Sequence, residues 1–148
     1  MARLVIDTSV LISIAKHQIE IEKVVSPSDD LLLPTVVIAE FLTGIELMKS
    51  AKSKISQMQF LMQFKSLAEV LEFTEIEAKA FAVLEASAVQ AGTPMSEFDL
   101  VVAAHATVES ALLVTSDKKA RFSDLPGVIA REIKLVVVRA RGAKVIAV

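Results

Sequence analysis

Hydrophobic and polar positions alternate between two patterns along the chain. Short, unbroken apolar runs at Leu4–Ile6, Leu31–Leu33 and Ala111–Thr115 are typical of strands buried on both faces of a parallel sheet. The segments between these runs carry apolar residues at helical spacing. Because strands alternate with helices, the sequence predicts an α/β fold with a mainly parallel central sheet flanked by helices.

Residues that favour helix ends predict where the helices begin. Thr8 or Ser9 is expected to cap the first helix, and Thr35 the second. Thr74 with Glu77, and Ser96 with Asp99, have the spacing of capping boxes. The other predicted elements are one amphipathic helix over Ile45–Phe64, a strand over Ala68–Phe73, and final strands over Ile133–Val138 and Lys144–Val148.

Composition indicates one domain over residues 1–148. The 148 residues are 53% hydrophobic, which is ample for a single core. The absence of cysteine excludes disulfides and thiolate metal sites, and two histidines argue against a histidine-rich zinc site. No apolar run reaches the ~20 residues of a membrane span. Asp7 interrupts the N-terminal apolar stretch where a signal peptide would continue. We therefore expect a soluble, cytoplasmic protein.

Two carboxylates directly follow apolar strands. Asp7 and Asp117 are thereby placed at the carboxyl edge of the sheet, where α/β proteins bind ligands. Asp7 is equally suited to cap the helix that follows it. Asp117 is also suited to a turn, and Asp124 is a candidate substitute farther from the strand end. Both interpretations of each residue stay open at this point.

Two further carboxylates lie on predicted helices among apolar or small neighbours. Glu40 has no Lys or Arg three or four positions away, which favours a functional role over exposure at the rim. Asp99 has small or apolar helical neighbours, although a capping box with Ser96 explains it equally well. His105 is more typical of a core or surface histidine than of a catalytic base.

The four acids come from separate elements and are expected to converge on one edge of the sheet. Carboxylates that share a pocket repel one another, and a cation offsets that repulsion. Without thiolates and with few imidazoles, oxygen ligands dominate, which suits Mg²⁺ or Mn²⁺. Such ions stabilise the attacking water and the leaving oxygen in phosphodiester hydrolysis.

Four motifs in order resemble those of PIN-domain ribonucleases. They are Val5–Ile12, Val37–Ile45, Gly92–Pro94 with Asp99–Ala106, and Leu113–Asp117 with Phe122 after it. Their order and spacing agree from Leu4 to about Pro126, whereas residues 129–148, the predicted C-terminal strands, match no motif. The length is similar to that of VapC-type toxins of toxin-antitoxin pairs.

The resemblance implies an Mg²⁺- or Mn²⁺-dependent endoribonuclease that forms homodimers or higher homo-oligomers and is inhibited by a cognate antitoxin protein. Asp7, Glu40, Asp99 and Asp117 match the acidic quartet as catalytic and metal-binding residues. Thr8, Ser9 and Thr115 match polar positions that support the metal site. Ser96–Phe98 departs from the residues that often precede the third acid, and the fourth acid varies in this family.

Two other functions fit parts of the pattern. A phospho-receiver-like domain is also α/β with an Asp at a strand end, but Met1–Asp7 has no acidic partner for Asp7 and Glu40 has no role there. A catalytically silent PIN-like module that binds RNA or a partner is the second alternative. The intact quartet argues against that module.

Two surfaces are candidates for macromolecular contact. The net charge is −2, so RNA binding needs local positive charge. Lys118, Lys119 and Arg121 follow Asp117 and are expected to contact RNA phosphates. The segment 128–148 adds five cations, which suit either RNA or a solvated strand face: Arg131, Lys134, Arg139, Arg141 and Lys144.

The Met- and Phe-rich segment Ile45–Phe64 is predicted to form a partner or dimer surface, with simple core packing as the alternative.

Overall fold

The computed structural model describes residues 1–133, 135–138 and 144–147. The strands are β1 (Arg3–Ile6), β2 (Asp30–Pro34), β3 (Glu69–Leu71), β4 (Leu112–Thr115), β5 (Ala130–Glu132), β6 (Leu135–Val138) and β7 (Lys144–Ala147). The helices are α1 (Thr8–Ala15), α2 (Thr35–Glu46), α3 (Ala51–Leu67), α4 (Glu75–Gln90) and α5 (Glu97–Val108). Single 3₁₀ turns lie at Ile21–Lys23 and Phe122–Asp124.

Five strands form one parallel sheet in the order β3-β2-β1-β4-β5. The register pairs Val5 of β1 with Leu32 on one side and with Leu113 on the other. These central residues are completely buried, as expected for strands covered on both faces. The α/β class predicted from the sequence is confirmed.

The strand order places a topological switch point between β1 and β4. From β1 the chain moves outward through β2 to β3, and it then returns to the opposite side of β1 to form β4 and β5. The connections after β1 and β4 therefore diverge, leaving a crevice beyond their carboxyl ends. This crevice is where the fold positions a ligand site.

The starts of α1 and α2 differ from the predicted ones. Asp7, not Thr8 or Ser9, caps α1, because its carboxylate accepts the Thr8 backbone N–H at 2.9 Å. Thr35 is the first residue of α2 rather than its cap, and Pro34 occupies the cap position without a side-chain bond. The predicted capping box of α4 is confirmed, with Thr74 and Glu77 bonded reciprocally.

The predicted single helix over Ile45–Phe64 is wrong, since the chain breaks between α2 and α3. The helical hydrogen bonds of α2 end near Leu47, and the Ser50 hydroxyl caps α3 by accepting the Ser53 N–H at 3.3 Å. Apolar spacing continues across this break, which is why the pattern alone suggested one helix. In α3 only Leu61 and Phe64 are buried. Met58 and Met62 point outward.

The C-terminal strands are partly as predicted. β5 was missed because Ala130–Glu132 is short and carries no apolar run, but it completes the edge of the parallel sheet beside β4. β6 and β7 pair antiparallel, with Val136 opposite Ile146. The predicted cations Lys134, Arg139 and Arg141 lie outside the described residues.

Arg131 is exposed and also makes a structural contact. Its guanidinium donates to the Val24 carbonyl, which joins β5 to the connection after α1. In the part of the chain that the structure covers, no helix is both long and apolar enough to cross a membrane.

His105 on α5 is fully buried, with its ring edge-on to Phe73 at a centroid distance of 6.0 Å. Among the described residues, neither of its ring nitrogens has a hydrogen-bond partner. Burial lowers the pKa of His105, and the charges of Glu77 and Glu109 oppose this effect. The histidine is therefore a neutral core residue, in agreement with the expectation that it is not a base.

We predict that His105 makes the fold acid-sensitive. Its pKa is lower in the folded chain than in the unfolded one, so stability is retained at neutral pH and lost as the pH falls below about 6.5. His105→Leu should reduce the drop in Tm between pH 7.5 and pH 5. His17→Asn, at an exposed position with a left-handed backbone, is the matched control. Equal drops in wild type and His105→Leu would contradict this role.

Candidate active site

The crevice between β1 and β4 brings together polar residues that follow the two strands. Asp7 comes directly after β1, and its backbone N–H still donates to the Val114 carbonyl of β4 at 3.0 Å. Thr115 is the last residue of β4, and it is buried beside Asp7. The strand ladder thus extends through Asp7 itself, which fixes the carboxylate relative to the sheet.

Asp7 is 5% exposed and holds three hydrogen bonds. Its Oδ1 accepts the Thr8 N–H at 2.9 Å, while its Oδ2 accepts the hydroxyls of Ser9 at 3.0 Å and Thr115 at 2.8 Å. A carboxylate has about four acceptor positions, so these bonds leave room for a further ligand. Asp7 therefore caps α1, and its capping bond does not use up the acceptor positions that a ligand would need.

A hydroxyl network connects Asp7 to the loop after β4. The Ser9 hydroxyl accepts the Ser116 N–H at 3.0 Å and lies 3.3 Å from the Thr115 hydroxyl. The Thr115 hydroxyl accepts the Asp117 N–H at 3.0 Å. The polar positions Ser9 and Thr115 therefore orient Asp7 and anchor the start of this loop.

Glu40 points toward the same crevice from α2. Its Oε1 accepts the Thr8 hydroxyl at 2.7 Å, and the side chain is half-buried. This bond joins α1 to α2 beside Asp7, so Glu40 is not simply exposed at the rim. Thr8 is the residue that links the two acids.

Asp99 and Asp117 complete the acidic group with different degrees of burial. Asp99 lies in the first turn of α5 and is half-buried, and the Ser96 hydroxyl caps the helix by accepting the Asp99 N–H at 3.2 Å. The reciprocal capping-box bond from Asp99 is absent from the described bonds at this helix start. Asp117 is exposed and accepts the Lys119 N–H at 2.8 Å, so it also forms the turn that was its alternative role.

Burial and repulsion between carboxylates disfavour the ionised forms of Asp7 and Asp99. The pKa of Asp7 is raised mainly by burial and also by the charge of Asp99, whereas hydrogen bonds from Thr115, Ser9 and Thr8 oppose the increase. Burial likewise raises the pKa of Asp99, and the nearby charge of Asp117 adds to it. Asp99 therefore lies within electrostatic reach of both Asp7 and Asp117.

The donor chemistry of these acids suits a hard cation. Within the described residues, no three acidic or histidine side chains gather closely enough to enclose an ion by themselves. Mg²⁺ needs no such cage, since it commonly keeps several waters and uses one or two carboxylates. Asp7 and Asp99 supply such a pair with raised pKa values, which a cation would lower.

The three predicted cations follow the site in chain order but have different surroundings. Lys118 and Lys119 are exposed. Arg121 forms an ion pair with Asp124, with its Nε 2.7 Å from Oδ2. Asp124, the candidate substitute for Asp117, is therefore paired with a cation in this structure.

An open cleft beside Asp99 was not predicted from the sequence. It has a volume of about 360 Å³ and lies between the loop 91–96 and the loop 119–125. Ser96, Lys119, Arg121 and Asp124 line it together with Asp99. The only sequence signal was Gly92–Pro94 before α5, which indicated a turn but not a cavity.

The PIN domain family model matches residues 4–128, well over half of the chain. The chain belongs to the PIN domain family. The matched range agrees with the extent of the motifs found in the sequence and ends before β5. No curated protein sequence matches this PIN domain.

Solved structures share the fold of this PIN domain. A chain of VapBC2 from Rickettsia felis, solved bound to a DNA fragment from its promoter, has a TM-score of 0.78 at 22% identity, covering 88% of this chain and 98% of that chain. A chain of DNA-bound VapBC from Salmonella typhimurium has a TM-score of 0.75 at 23% identity, covering 89% and 98%. A chain of VapBC-5 from Mycobacterium tuberculosis, a member of the VapBC family of toxin-antitoxin systems, has a TM-score of 0.71 at 21% identity, covering 90% and 99%.

Because the pKa of Asp99 is raised, we predict that removing its charge stabilises the folded protein. Its carboxyl favours folding at low pH, and this contribution is lost as the pH rises through the folded pKa. Without divalent ions at pH 7.5, Asp99→Asn should therefore raise Tm, by roughly 2–4 °C for each ~1 kcal/mol in a domain of this size. The gain should shrink on acidification.

Glu97→Gln is the matched control for this experiment, since Glu97 is exposed in the same helical turn. It removes a charge that favours the helix N-terminus and should not raise Tm. A lower Tm for Asp99→Asn at every pH would show that the carboxylate is not under electrostatic strain.

Proposed function

We propose that this PIN domain is an Mg²⁺- or Mn²⁺-dependent endoribonuclease and the toxin of a type II toxin-antitoxin pair. PIN domains are generally nucleases, which supports a hydrolase of this kind. The observation that carries the proposal is the buried Asp7, held by three hydrogen bonds at the switch point within electrostatic reach of Asp99. A buried carboxylate beside another acid is expensive to keep unless a cation binds there.

The proposed division of roles follows the contacts. Asp7 and Asp99 hold the cation, with Glu40 and Asp117 at its periphery. Thr8 fixes Glu40, while Ser9 and Thr115 fix Asp7. When bound, the metal ion would supply charge stabilisation and an activated water for cleavage of the phosphodiester bond.

A catalytically silent PIN-like module remains the alternative, and the same geometry argues against it. A binding module gains nothing from a charge that burial disfavours at the centre of its crevice. The phospho-receiver alternative is excluded by the family to which the chain belongs.

The toxin role is supported by the solved structures of the same fold. The complexes from Rickettsia felis, Salmonella typhimurium and Mycobacterium tuberculosis carry the VapBC name, and the last is described as a toxin-antitoxin system. We propose by this likeness that a cognate antitoxin protein binds and inhibits the present chain.

Metal-dependent cleavage predicts a sharp response to charge removal at the site. Asp7→Asn keeps an acceptor for the Thr8 N–H, so α1 stays capped, but it should lower RNA cleavage by at least about 10²-fold because a metal-ligand charge is lost. The measurement is cleavage of a structured RNA with Mg²⁺ or Mn²⁺, with circular dichroism to confirm the fold. Asp29→Asn, in a turn before β2, is the control. Full activity of wild type in excess EDTA would refute the proposal.

Lys118, Lys119 and Arg121 are proposed to hold RNA beside the acids. Lys118 and Lys119 are exposed and suit phosphate contacts, whereas Arg121 is already paired with Asp124. In Ca²⁺, which we expect to permit binding with little cleavage, Lys118→Ala/Lys119→Ala should lower the log-log salt slope by about 1.4, at ~0.7 for each lost contact to single-stranded RNA.

The matched control for the salt titration is Lys52→Ala/Lys65→Ala, on the exposed surface of α3. It removes the same charge far along the chain from the site loop. If the two double variants change the slope equally, the lysines after Asp117 act only through the net charge.

The outward face of α3 is proposed as a homodimer surface. Met58 and Met62 are 39% and 67% exposed, and Ile55 on the same helix is 61% exposed. Core packing accounts for Leu61 and Phe64 but not for these three residues. Exposed apolar side chains at spacings of three and four residues form a continuous stripe.

Met58→Asp/Met62→Asp should convert a dimer into a monomer in light scattering, because two charges cannot be buried unpaired at an interface. Gln59→Asp/Gln63→Asp has the same spacing on exposed polar positions and should leave the mass unchanged. A monomeric wild type, or a dimer that survives both variants, would contradict this assignment.

A further inference from the structure

The cleft beside Asp99 has walls of two kinds. Small or apolar side chains from the end of α4 and the following loop form one wall, including Ala88, Pro94 and Met95. The opposite wall carries the ion pair between Arg121 and Asp124. A ligand in this cleft therefore meets apolar surface on one side and a fixed donor and acceptor on the other.

The two walls are held in place by local geometry. Gly92 adopts a left-handed φ of 69°, and the Thr93 N–H donates to the Ala88 carbonyl at 3.0 Å, which closes the end of α4. Arg121 also has a left-handed backbone, with φ 53°, and the buried Phe122 follows it. The Asp124 N–H donates to the Arg121 carbonyl at 3.0 Å. These backbone contacts fix the course of both loops.

The charges of the cleft select among parts of an RNA chain. Two carboxylates, Asp99 and Asp124, and two cations, Lys119 and Arg121, line it, so the cleft has no excess of positive charge that would favour a phosphate. A nucleobase has apolar faces and a polar edge, which match the two kinds of wall. Unstacked bases are the parts of single-stranded RNA that proteins read, often against an Arg guanidinium plane.

Asp99 belongs both to the acidic site and to the cleft, so an occupant of the cleft lies next to the reacting phosphate. We propose that the cleft binds an unstacked base of the RNA substrate adjacent to the scissile bond and gives the nuclease a base preference at that position. Arg121 and Asp124 are the residues that distinguish the bases. This inference rests on the proposed ribonuclease function.

The first test uses binding alone. The four nucleoside 5′-monophosphates are titrated in EDTA while backbone amide chemical shifts are recorded, with inorganic phosphate as a separate arm. Shifts should concentrate in 91–96 and 119–125, with unequal affinities for the four bases. Ala91→Trp, which fills the cleft, should weaken binding at least tenfold. Ala86 lies on α4 outside the cleft, so the control variant Ala86→Trp should leave nucleotide binding unchanged.

Arg121→Gln should bring the four affinities together, because it removes the ion pair that presents donor and acceptor to the base. Absent shifts in both loops, or equal shifts with inorganic phosphate, would overturn the base site. Antitoxin binding that Ala91→Trp abolishes, without any nucleotide effect, would assign the cleft to the protein partner instead.

The second test uses cleavage of an RNA with randomised positions, read by sequencing the cut ends. Wild type should prefer particular bases at one position beside the cut, and Ala91→Trp should lose that preference while Ala86→Trp retains it. If RNA is cut with a base preference that Ala91→Trp leaves intact, the proposed base site is refuted, whereas the proposed nuclease function is supported. If nucleotides bind the cleft but no RNA is cut, the nuclease proposal fails and the base site stands.

Discussion

The carboxylate of Asp7 is the constraint on which the rest of the site depends. It lies at the switch point between β1 and β4 and caps α1. It also accepts hydrogen bonds from the hydroxyls of Ser9 and Thr115. Burial and the charge of Asp99 both disfavour its ionised form. Hydrogen bonds and the helix start compensate for part of this cost.

The acids differ in how firmly the fold holds them. Asp7 is fixed by the β1–β4 ladder, and Glu40 is tied to it through Thr8. Asp99 depends on the start of α5, and Asp117 is exposed on a turn. Asp7 and Glu40 are therefore held at the switch point, whereas Asp117 lies on an exposed turn. The resemblance to PIN-domain ribonucleases likewise implies that the fourth acid is the one that varies.

Sequence patterns predicted what depends on local chemistry. Continuous apolar runs fixed β1, β2 and β4, and the spacing of Thr74 and Glu77 fixed the start of α4. The break near Ser50 escaped because the apolar spacing runs through it. Asp7 and Asp117 were identified because they follow apolar strands. Glu40 and Asp99 were identified because their neighbours at helical spacing are apolar or small. The bonds that join Thr115 to Asp7 and Thr8 to Glu40, and the cleft, arise from contacts between distant segments of the chain that no local pattern encodes.

The unequal anchoring of Asp7 and of the cleft has a consequence for how such proteins diversify. Asp7 cannot shift without breaking the pairing of β1 with β4, so the chemistry is bound to the architecture. The walls of the cleft come instead from connections between elements, whose lengths and side chains vary at little cost to the sheet. The connections that form the cleft can therefore change in length and sequence while the acidic residues at the switch point keep their positions.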